Sequence, residues 1–213
     1  MGIAPRTASA PLVVTSEWTV DSDIAEALWD LYAISFEPLQ HRAAARQLIS
    51  RADFDLEVLD PRVTKYIARI GTGRIVGFCT LSNDLTTVPW ISPEFYQARY
   101  PSHSARRAVF YCGIAVVHPD ARSTRAFAEM VSAFGRDIAA ADGILAADMC
   151  RFNVDVVQLT RTVSSMMERA WGSAKLVELD SQMYMAWEPD ENGPGRRAGR
   201  RATVDTCDLL HDH

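Results

Sequence analysis

The sequence predicts one α/β domain built on a mixed β-sheet with helices against it. Two β-rich runs flank a Gly-containing turn at 71–73, which is typical of an antiparallel hairpin. A continuous apolar run at 108–117 is typical of a central strand covered on both faces. An amphipathic helix and a further strand–helix unit follow that run. We find no internal repeat and no linker between two cores, so a single α/β domain is expected.

The amino-acid composition limits the classes of protein to which this chain can belong. The 213 residues are 48% hydrophobic and 23% charged, which is ordinary for a globular chain. The net charge of −5, without a basic stripe, argues against nucleic acid, and no apolar run is long enough to predict a membrane span. The cysteines are far apart and form no metal-ligand pattern, which indicates free thiols in a cytoplasmic protein without a metal. They are Cys79, Cys112, Cys150 and Cys207.

The N-terminal part of the chain predicts a strand and two helices. Residues 1–10 are expected to be a flexible arm, and 11–20 the first strand. A helix should follow and end before Pro38, with its N-cap among Asp21, Ser22 and Asp23. Its apolar face is predicted to be Ile24, Leu28, Leu31 and Ile34. A second helix is expected at 41–52.

The middle of the chain predicts a hairpin and a long insertion. The hairpin strands are expected at 64–70 and 74–82. Residues 83–107 should form a long irregular connection, which in a compact domain is uncommon without a function. It is interpreted either as a lid over an acceptor pocket or as a surface insertion with its own aromatic cluster. The candidate substrate-binding residues in it are Trp90, Tyr96 and Tyr100.

The C-terminal half predicts alternating helices and strands. The helix after the central strand has an apolar stripe of Phe127, Met130, Val131, Phe134 and Ile138, and Gly143 should end it. Asn153 is predicted to cap a helix over 154–171. The domain is expected to span 11–187 and to be followed by a disordered tail at 188–213. The remaining strands are predicted at 144–152, 175–180 and 182–187.

The segment after the central strand predicts an anion site. A strand that leads into a helix N-terminus presents unpaired amides and the positive end of the helix dipole. Arg122 lies there, where its charge is unfavourable with the dipole, so an anionic ligand would explain it. A salt bridge from Arg122 to Asp120 or Glu129 is the alternative.

The same segment resembles the GNAT N-acetyltransferase superfamily. The run Val117-His118-Pro119-Asp120-Ala121-Arg122 is similar to that family's V-x-P-x-x-(R/Q) motif, and the order of elements over 13–187 is similar to its topology. The resemblance implies an acyl-coenzyme A donor, with pantetheine against the strand 110–117 where it splays from 144–152. The residues it implies for the cofactor are Ile114, Val116 and Val117 for pantetheine, Arg122, Ser123, Thr124, Arg125 and Ala126 for pyrophosphate, and Asn153.

The chain departs from the family pattern in two places. The family has glycines after the position of Arg122, where phosphates approach the backbone closely, but this chain has Ser123-Thr124-Arg125-Ala126-Phe127. Arg125 and Phe127 would either obstruct the loop or, for Arg125, replace amide contacts by a bond to phosphate. The helix after Asn153 also lacks the tyrosine that many members use to protonate the leaving thiolate.

Acyl transfer to an amine needs a proton acceptor and an oxyanion-stabilising group. Asp148 in the strand 144–152 is the first candidate, the alternative being an aspartate that faces solvent or pairs with Arg151. Tyr111 is either a hydrogen-bond donor to the substrate or a core tyrosine whose hydroxyl reaches solvent. His118 is either a base or an exposed residue of the turn. Cys112 is expected to be an inert buried thiol.

The sequence therefore predicts an N-acyltransferase that moves an acyl group, most simply acetyl, from acyl-coenzyme A to the amine of a small molecule. Two alternatives stay open. One is a catalytically degenerate member that binds a ligand or a protein. The other is an acyltransferase that takes its acyl group from a carrier protein. By analogy with the fold, a homodimer through sheet edges is also expected.

Overall fold

The structure is a computed structural model that describes residues 11–45 and 48–188. The chain divides into two units, Met1–Glu178 and Leu179–His213. The first unit contains every strand and helix of the described residues. In the second unit, residues 179–188 are irregular, and the predicted tail otherwise lies outside the described residues.

Five strands and seven α-helices make up the first unit. The strands are β1 Leu12–Glu17, β2 Val63–Ile70, β3 Arg74–Ser82, β4 Val109–Val117 and β5 Ile144–Ala146. The helices are α1 Ser22–Phe36, α2 Arg51–Val58, α3 Pro93–Arg99, α4 Pro101–Ala105, α5 Ala126–Ala140, α6 Arg151–Asp155 and α7 Leu159–Trp171. Short 3₁₀ turns lie at Glu37–His41, Leu85–Thr87 and Pro119–Ala121.

The strands form one mixed sheet in the order β1-β2-β3-β4-β5, which confirms the predicted fold class. The first four strands are antiparallel to their neighbours, whereas β5 runs parallel to β4. The β2–β3 hairpin and β4 lie where the sequence predicts strands, although β3 rather than β4 is the central strand of the five. A parallel neighbour requires a crossover connection, and α5 provides it.

Helices cover both faces of the sheet. On one face, α5 and α7 pack on a cluster that includes Met130, Phe134 and Met167. On the other face, α1 and α2 pack on a cluster that includes Leu28, Phe54 and Phe78. Because both faces are covered, β4 is apolar throughout, as the uninterrupted run in the sequence predicts.

A β-bulge interrupts the pairing of β3 with β4. Cys79 lies opposite Ala115 and Leu81 opposite Cys112, so β4 has one extra residue between these pairs. An extra residue in one strand kinks it and redirects the neighbouring side chains. Here the bulge contains Gly113 and Ile114, and it turns Ile114 into the same cluster as α1 and α2.

The start of the chain differs from prediction in its helices. Asp21 is the N-cap of α1 and accepts a hydrogen bond from the Ile24 amide. The buried face of α1 is Ala25, Leu28, Leu31 and Tyr32. The helix predicted at 41–52 is wrong. Instead α2 begins after Ser50, whose hydroxyl accepts a bond from the Asp53 amide and donates to the Asp53 carboxylate.

Later elements also differ from prediction. β5 ends at Ala146 rather than at 152, so Asp148 lies in a loop. The helix predicted at 154–171 is two helices joined at Gln158, which has a left-handed backbone, and Asn153 lies inside α6 instead of capping it. The insertion contains α3 and α4. Residues 175–180 and 182–187 form no strand, because neither stretch pairs with a strand among the described residues.

Candidate functional site

β4 and β5 diverge after Tyr111, the third of the nine residues of β4. Their pairing covers Val109–Tyr111 of β4 and ends at the pair Tyr111 and Ala146. The His118 amide donates to the Val76 carbonyl, and hydrogen-bonded pairs alternate along an antiparallel ladder. The backbone groups of Ala115 and Val117 therefore point away from β3, into the space that β5 has left. This opening offers a chain-like ligand the donors and acceptors of a strand edge.

The opening leads to the loop before α5. Arg125 is the N-cap residue of α5, and its side chain makes no capping hydrogen bond. Thr124 Oγ1 accepts a bond from the Ala126 amide and donates to the Ala121 carbonyl. Arg122 and Ser123 are exposed. Within residues 11–45 and 48–188, Arg122 forms no ion pair, so the predicted bridge to Asp120 or Glu129 is not present.

The two side chains expected to obstruct this loop lie elsewhere. Phe127 is partly buried against the cluster under α5, so its ring does not occupy the loop. The Arg125 guanidinium pairs with Glu129 one turn further along the helix, at 2.9 Å. Neither the Phe127 ring nor the Arg125 guanidinium therefore fills the loop, although the loop lacks the family's glycines.

A polar cluster lies where the two strands diverge. The Tyr111 hydroxyl donates to Asp148 Oδ1 at 2.5 Å, and the Trp90 indole N–H lies 3.3 Å from the same oxygen. Burial, and next the Asp148 charge, raise the pKa of Tyr111, so the phenol stays protonated and donates a hydrogen bond. Asp148 is exposed, and Arg151 pairs with Asp155 instead. Asp148 Oδ2 accepts no hydrogen bond from the described residues.

The insertion supplies the aromatic wall of this cluster. The rings of Trp90 and Tyr96 lie 6.4 Å and 6.3 Å from the Tyr111 ring, both edge to face. Burial raises the pKa of Tyr96. Tyr100 instead contacts His103 and the Arg99 guanidinium. Two of the three aromatic residues predicted from the insertion are therefore at the site.

On the other side of the bulge, a buried carboxyl and a hydroxyl are hydrogen-bonded. Thr80 Oγ1 donates to Glu57 Oε1 at 2.5 Å and accepts from the Ile114 amide at 2.8 Å. Gly113 makes room for this pair, because a Cβ there would collide with the Glu57 carboxyl. Hydrogen bonds thus join the bulge of β4 to the Thr80 hydroxyl of β3 and to the Glu57 carboxyl of α2.

Glu57 is buried, and its charge is poorly compensated. Its side chain lies on the face of α2 that carries Phe54 and Val58, both fully buried. Burial, reinforced by the nearby Asp148 charge, raises the pKa of Glu57, whereas the Thr80 hydrogen bond and Lys65 oppose this shift. Folding therefore favours the protonated carboxyl.

This raised pKa predicts how stability depends on pH. The folded state binds more protons at Glu57 than the unfolded state, so its contribution is present below the ordinary pKa of 4.5 and is lost as pH rises through the folded pKa. Glu57→Gln removes the titration, and we expect the variant to gain free energy of unfolding relative to wild type as pH rises. Each tenfold difference between the acid dissociation constants of Glu57 in the folded and unfolded states contributes about 1.4 kcal/mol to this gain.

Urea unfolding at several pH values measures this difference, with the exposed Glu168→Gln as control. A difference between wild type and Glu57→Gln that stays constant with pH would contradict the raised pKa.

The remaining candidates from the sequence lie away from this cluster. His118 begins the turn after β4, seven residues from Tyr111, and its Nδ1 accepts a bond from the Asp120 amide. The Ile114 and Val116 side chains are core residues. The Ile114 amide donates to Thr80 Oγ1, and by the same alternation the backbone groups of Val116 point toward β3, so neither residue faces the opening. Asn153 is partly buried in α6. Burial raises the pKa of Cys112 to about 12, as expected of an inert thiol.

Glu57 and Thr80 are the residues that sequence reasoning missed. The available signal was a glutamate between Phe54 and Val58 on one helical face, where a charged residue is rarely buried without a reason. The helix predicted from the sequence ends at Ala52, so Glu57 falls outside it.

Two absences hold for residues 11–45 and 48–188. No group of three or more potential ligands that could hold a metal ion occurs there. No helix in the same residues has the length and apolar character needed to cross a membrane.

Comparisons with known proteins give structural similarity only. No protein-family model and no curated protein matches the chain. Among solved structures, an aminoglycoside acetyltransferase from an uncultured soil metagenomic sample is 9% identical, with a TM-score of 0.48 over 83% of this chain and 97% of that one. The ribosomal-protein-alanine N-acetyltransferase of Brucella melitensis biovar Abortus 2308 is 13% identical, with a TM-score of 0.46 over 84% and 100%.

A further similar structure, an aminoglycoside N-acetyltransferase in complex with CoA, is 13% identical, with a TM-score of 0.46 over 88% of this chain and 100% of that one. At these identities and TM-scores the similarity concerns the fold and carries no argument about ligands or activity.

Proposed function

We propose that this protein is an N-acyltransferase that moves an acyl group from acyl-coenzyme A to a small molecule with a cationic amine. One observation carries the proposal: an open strand edge on β4 begins next to a cluster of carboxyl, phenol and indole groups. A thioester donor on the edge and an amine in the cluster would meet where β4 and β5 diverge.

The donor end of the site uses backbone and charge. The Ala115 and Val117 backbone groups supply the hydrogen bonds that the amides of a pantetheine arm require. The α5 N-terminus attracts phosphate, and Arg122 adds a positive charge without an ion pair to break among the described residues. Arg122 replaces part of what the missing glycines would supply, as a charge-assisted bond instead of a close backbone contact.

The acceptor end of the site selects a cation. Asp148 holds a negative charge beside the rings of Trp90, Tyr96 and Tyr111, and carboxylates with aromatic faces bind ammonium groups. Because two donors already fix Oδ1, the other oxygen is positioned for a substrate ammonium. We therefore propose Asp148 as the residue that holds the amine. Its predicted role as the base stays a prediction.

The reaction in this site is direct attack. The bound ammonium loses one proton to solvent, and the neutral amine then attacks the thioester carbonyl. The C–S bond breaks, the nitrogen loses its second proton and the thiolate takes up a proton, which gives an amide and a free thiol. The site lowers the barrier by holding both reactants at the divergence of the strands. Tyr111 stays protonated and keeps Asp148 oriented. Cys112 is partly buried and its thiol has a raised pKa, which supports a mechanism without an acylated cysteine.

A binding module is the second candidate. The observation that favours it is the loop after Arg122, where Arg125 and Phe127 stand at the positions of the family's glycines. Such a protein would bind a ligand in the opening without turnover.

Thermal-shift titration with coenzyme A, acetyl-coenzyme A and a medium-chain acyl-coenzyme A tests the donor site. A ligand specific for the folded state adds about 2.7 kcal/mol at one hundred times its dissociation constant, which is readily measured. We expect a shift with acetyl-coenzyme A. No shift with any of the three would set the proposal aside in favour of a carrier-protein donor or a different ligand.

Arg122→Ala should weaken this binding. Loss of one exposed charge from the phosphate site is expected to raise the dissociation constant about tenfold, which is roughly 1.4 kcal/mol. Arg136→Ala is the matched control, because Arg136 is exposed on α5, the helix that follows the Arg122 loop, and bonds to Ser132. If Arg122→Ala and wild type bind acetyl-coenzyme A with equal affinity, the phosphates of the ligand do not bind at Arg122.

A further inference from the structure

Trp90 presents the hydrocarbon part of its ring to solvent beside Asp148. The residue is 46% exposed, and its indole N–H lies 3.3 Å from Asp148 Oδ1 and 3.4 Å from the Tyr111 hydroxyl. Because the polar atom of the side chain is already hydrogen-bonded, the surface that the ring leaves exposed is apolar. The informative feature is that this large apolar surface adjoins a charged group with a free oxygen.

Other rings of the insertion extend this apolar surface. Phe95 in α3 is 42% exposed, and its ring packs edge to face on Tyr96, with the centroids 5.5 Å apart. Tyr96 packs in turn on Tyr111, which packs on Trp90. Trp90 and Phe95 are therefore the exposed ends of one connected series of four rings. A connected group of exposed rings indicates a binding surface, whereas a single scattered apolar residue does not.

The insertion that carries Trp90 is anchored at both ends. The Asn83 side-chain amide donates to the Arg107 carbonyl at 3.1 Å, which joins the first residue of the insertion to its last. Arg106 donates to the Ala141 carbonyl at the end of α5. A surface that the fold already holds in place loses little conformational entropy when a ligand binds. The Trp90 ring is therefore preorganised for contact with a flat group.

The site offers one exposed carboxylate to a cation. Burial, and next the charge of Asp148, raise the pKa of both tyrosines of the cluster. Of the two acids of the insertion, Glu94 accepts a hydrogen bond from a serine hydroxyl and Asp84 is paired with two arginines. Glu57 lies buried on the other side of the bulge. The site therefore favours a monocation, since a further ammonium would lose hydration without gaining a carboxylate.

We propose that the acceptor is a primary monoamine joined by a short linker to an aromatic ring, and that Trp90 selects this ring. The inference rests on the proposed function and names the substrate class of the same site. The ammonium binds Asp148 Oδ2, and the substrate ring packs on the indole. Because the indole nitrogen and Asp148 Oδ1 are only 3.3 Å apart, a short linker allows both contacts. The bonds formed and broken are those of the proposed reaction.

A series of amines tests the class of acceptor on the wild-type protein. The probes are phenethylamine, cyclohexylethylamine, butylamine and the polycation spermidine, each at saturating acetyl-coenzyme A. We expect kcat/KM for phenethylamine to exceed that for cyclohexylethylamine roughly 2–10-fold, because the two amines differ in the aromatic face and little in apolar area. It should exceed that for butylamine about tenfold, since butylamine has no ring to pack. Spermidine should be no better than butylamine.

Two substitutions separate the ring of Trp90 from its N–H. Trp90→Phe keeps an aromatic ring but loses the bond to Asp148, so it should weaken all amines alike and keep the preference for phenethylamine over cyclohexylethylamine. Trp90→Leu removes both, so this preference should disappear. Because the preference is a ratio, it does not depend on the fraction of folded protein. Trp18→Leu is the matched control, since Trp18 is 68% exposed directly after β1, at the opposite edge of the sheet from β5.

The outcomes separate the two proposals. If wild type acetylates cyclohexylethylamine, butylamine or spermidine at least as well as phenethylamine, the inference is overturned and the proposed function stands. If wild type prefers phenethylamine but Trp90→Leu keeps the whole preference, Trp90 does not select the ring, and the inference is again overturned. If wild type transfers acetyl to no amine, both proposals fail.

Discussion

Asp148→Asn should raise KM for a cationic amine roughly 10–100-fold and change kcat little. Asparagine keeps the shape of the side chain and can still accept the bond from Tyr111, but it removes the negative charge. Hydrogen bonds to charged groups contribute about 1.5–3 kcal/mol, which corresponds to that range of KM. Initial rates with a primary amine at saturating acetyl-coenzyme A measure the effect.

Asp155→Asn is the matched control for this experiment, because Asp155 is exposed in α6 and pairs with Arg151. An unchanged KM in Asp148→Asn would show that the acceptor does not bind at this carboxylate. If Asp148→Asn instead has a lower kcat, and this kcat no longer falls at low pH as that of wild type does, Asp148 is the base.

Gly113→Ala should destabilise the protein by about 1–3 kcal/mol, the usual cost of overpacking a core. The new methyl group would overlap the Glu57 carboxyl and approach Thr80 Oγ1 to 3.2 Å. Both neighbours are held by hydrogen bonds, so neither can move away without breaking one. Urea unfolding monitored by circular dichroism gives the difference in free energy.

A double-mutant cycle with Glu57→Ala identifies the cause of that cost. If the overlap with the carboxyl is responsible, Gly113→Ala should cost less in the Glu57→Ala background than in wild type. Equal costs in the two backgrounds would mean that the glycine is required for another reason, such as the backbone of the bulge.

Local sequence patterns predict those elements of the fold whose formation depends mainly on residues that are close in sequence. The hairpin over β2 and β3 forms around its glycine turn, and the apolar run of β4 becomes the covered strand. The second predicted helix is different, because 41–45 carries good helix formers yet is not an α-helix. Helix α2 begins instead at the Ser50 cap, with Arg51 paired to Glu26 on α1.

A residue of the candidate site was predictable where it differs from its own segment of the sequence, and not where its role depends on contacts with another element. Tyr111 and Asp148 were identified as polar residues among apolar ones, and the structure brings them together. Glu57 was missed because its importance depends on a bulge in β4, and no local pattern reveals which residue of β3 faces that bulge. The length of β5 was overestimated for the same reason, since its pairing depends on β4.

Acyl transfer itself tests the central claim most directly. Purified protein would be incubated with acetyl-coenzyme A and a panel of small primary amines, with release of free thiol followed by a chromogenic disulfide and the amide identified by mass spectrometry. We predict thiol release that depends on a cationic amine, in equal amount to the acetylated product. Binding of acetyl-coenzyme A without thiol release for any amine would contradict the enzyme and leave a binding module.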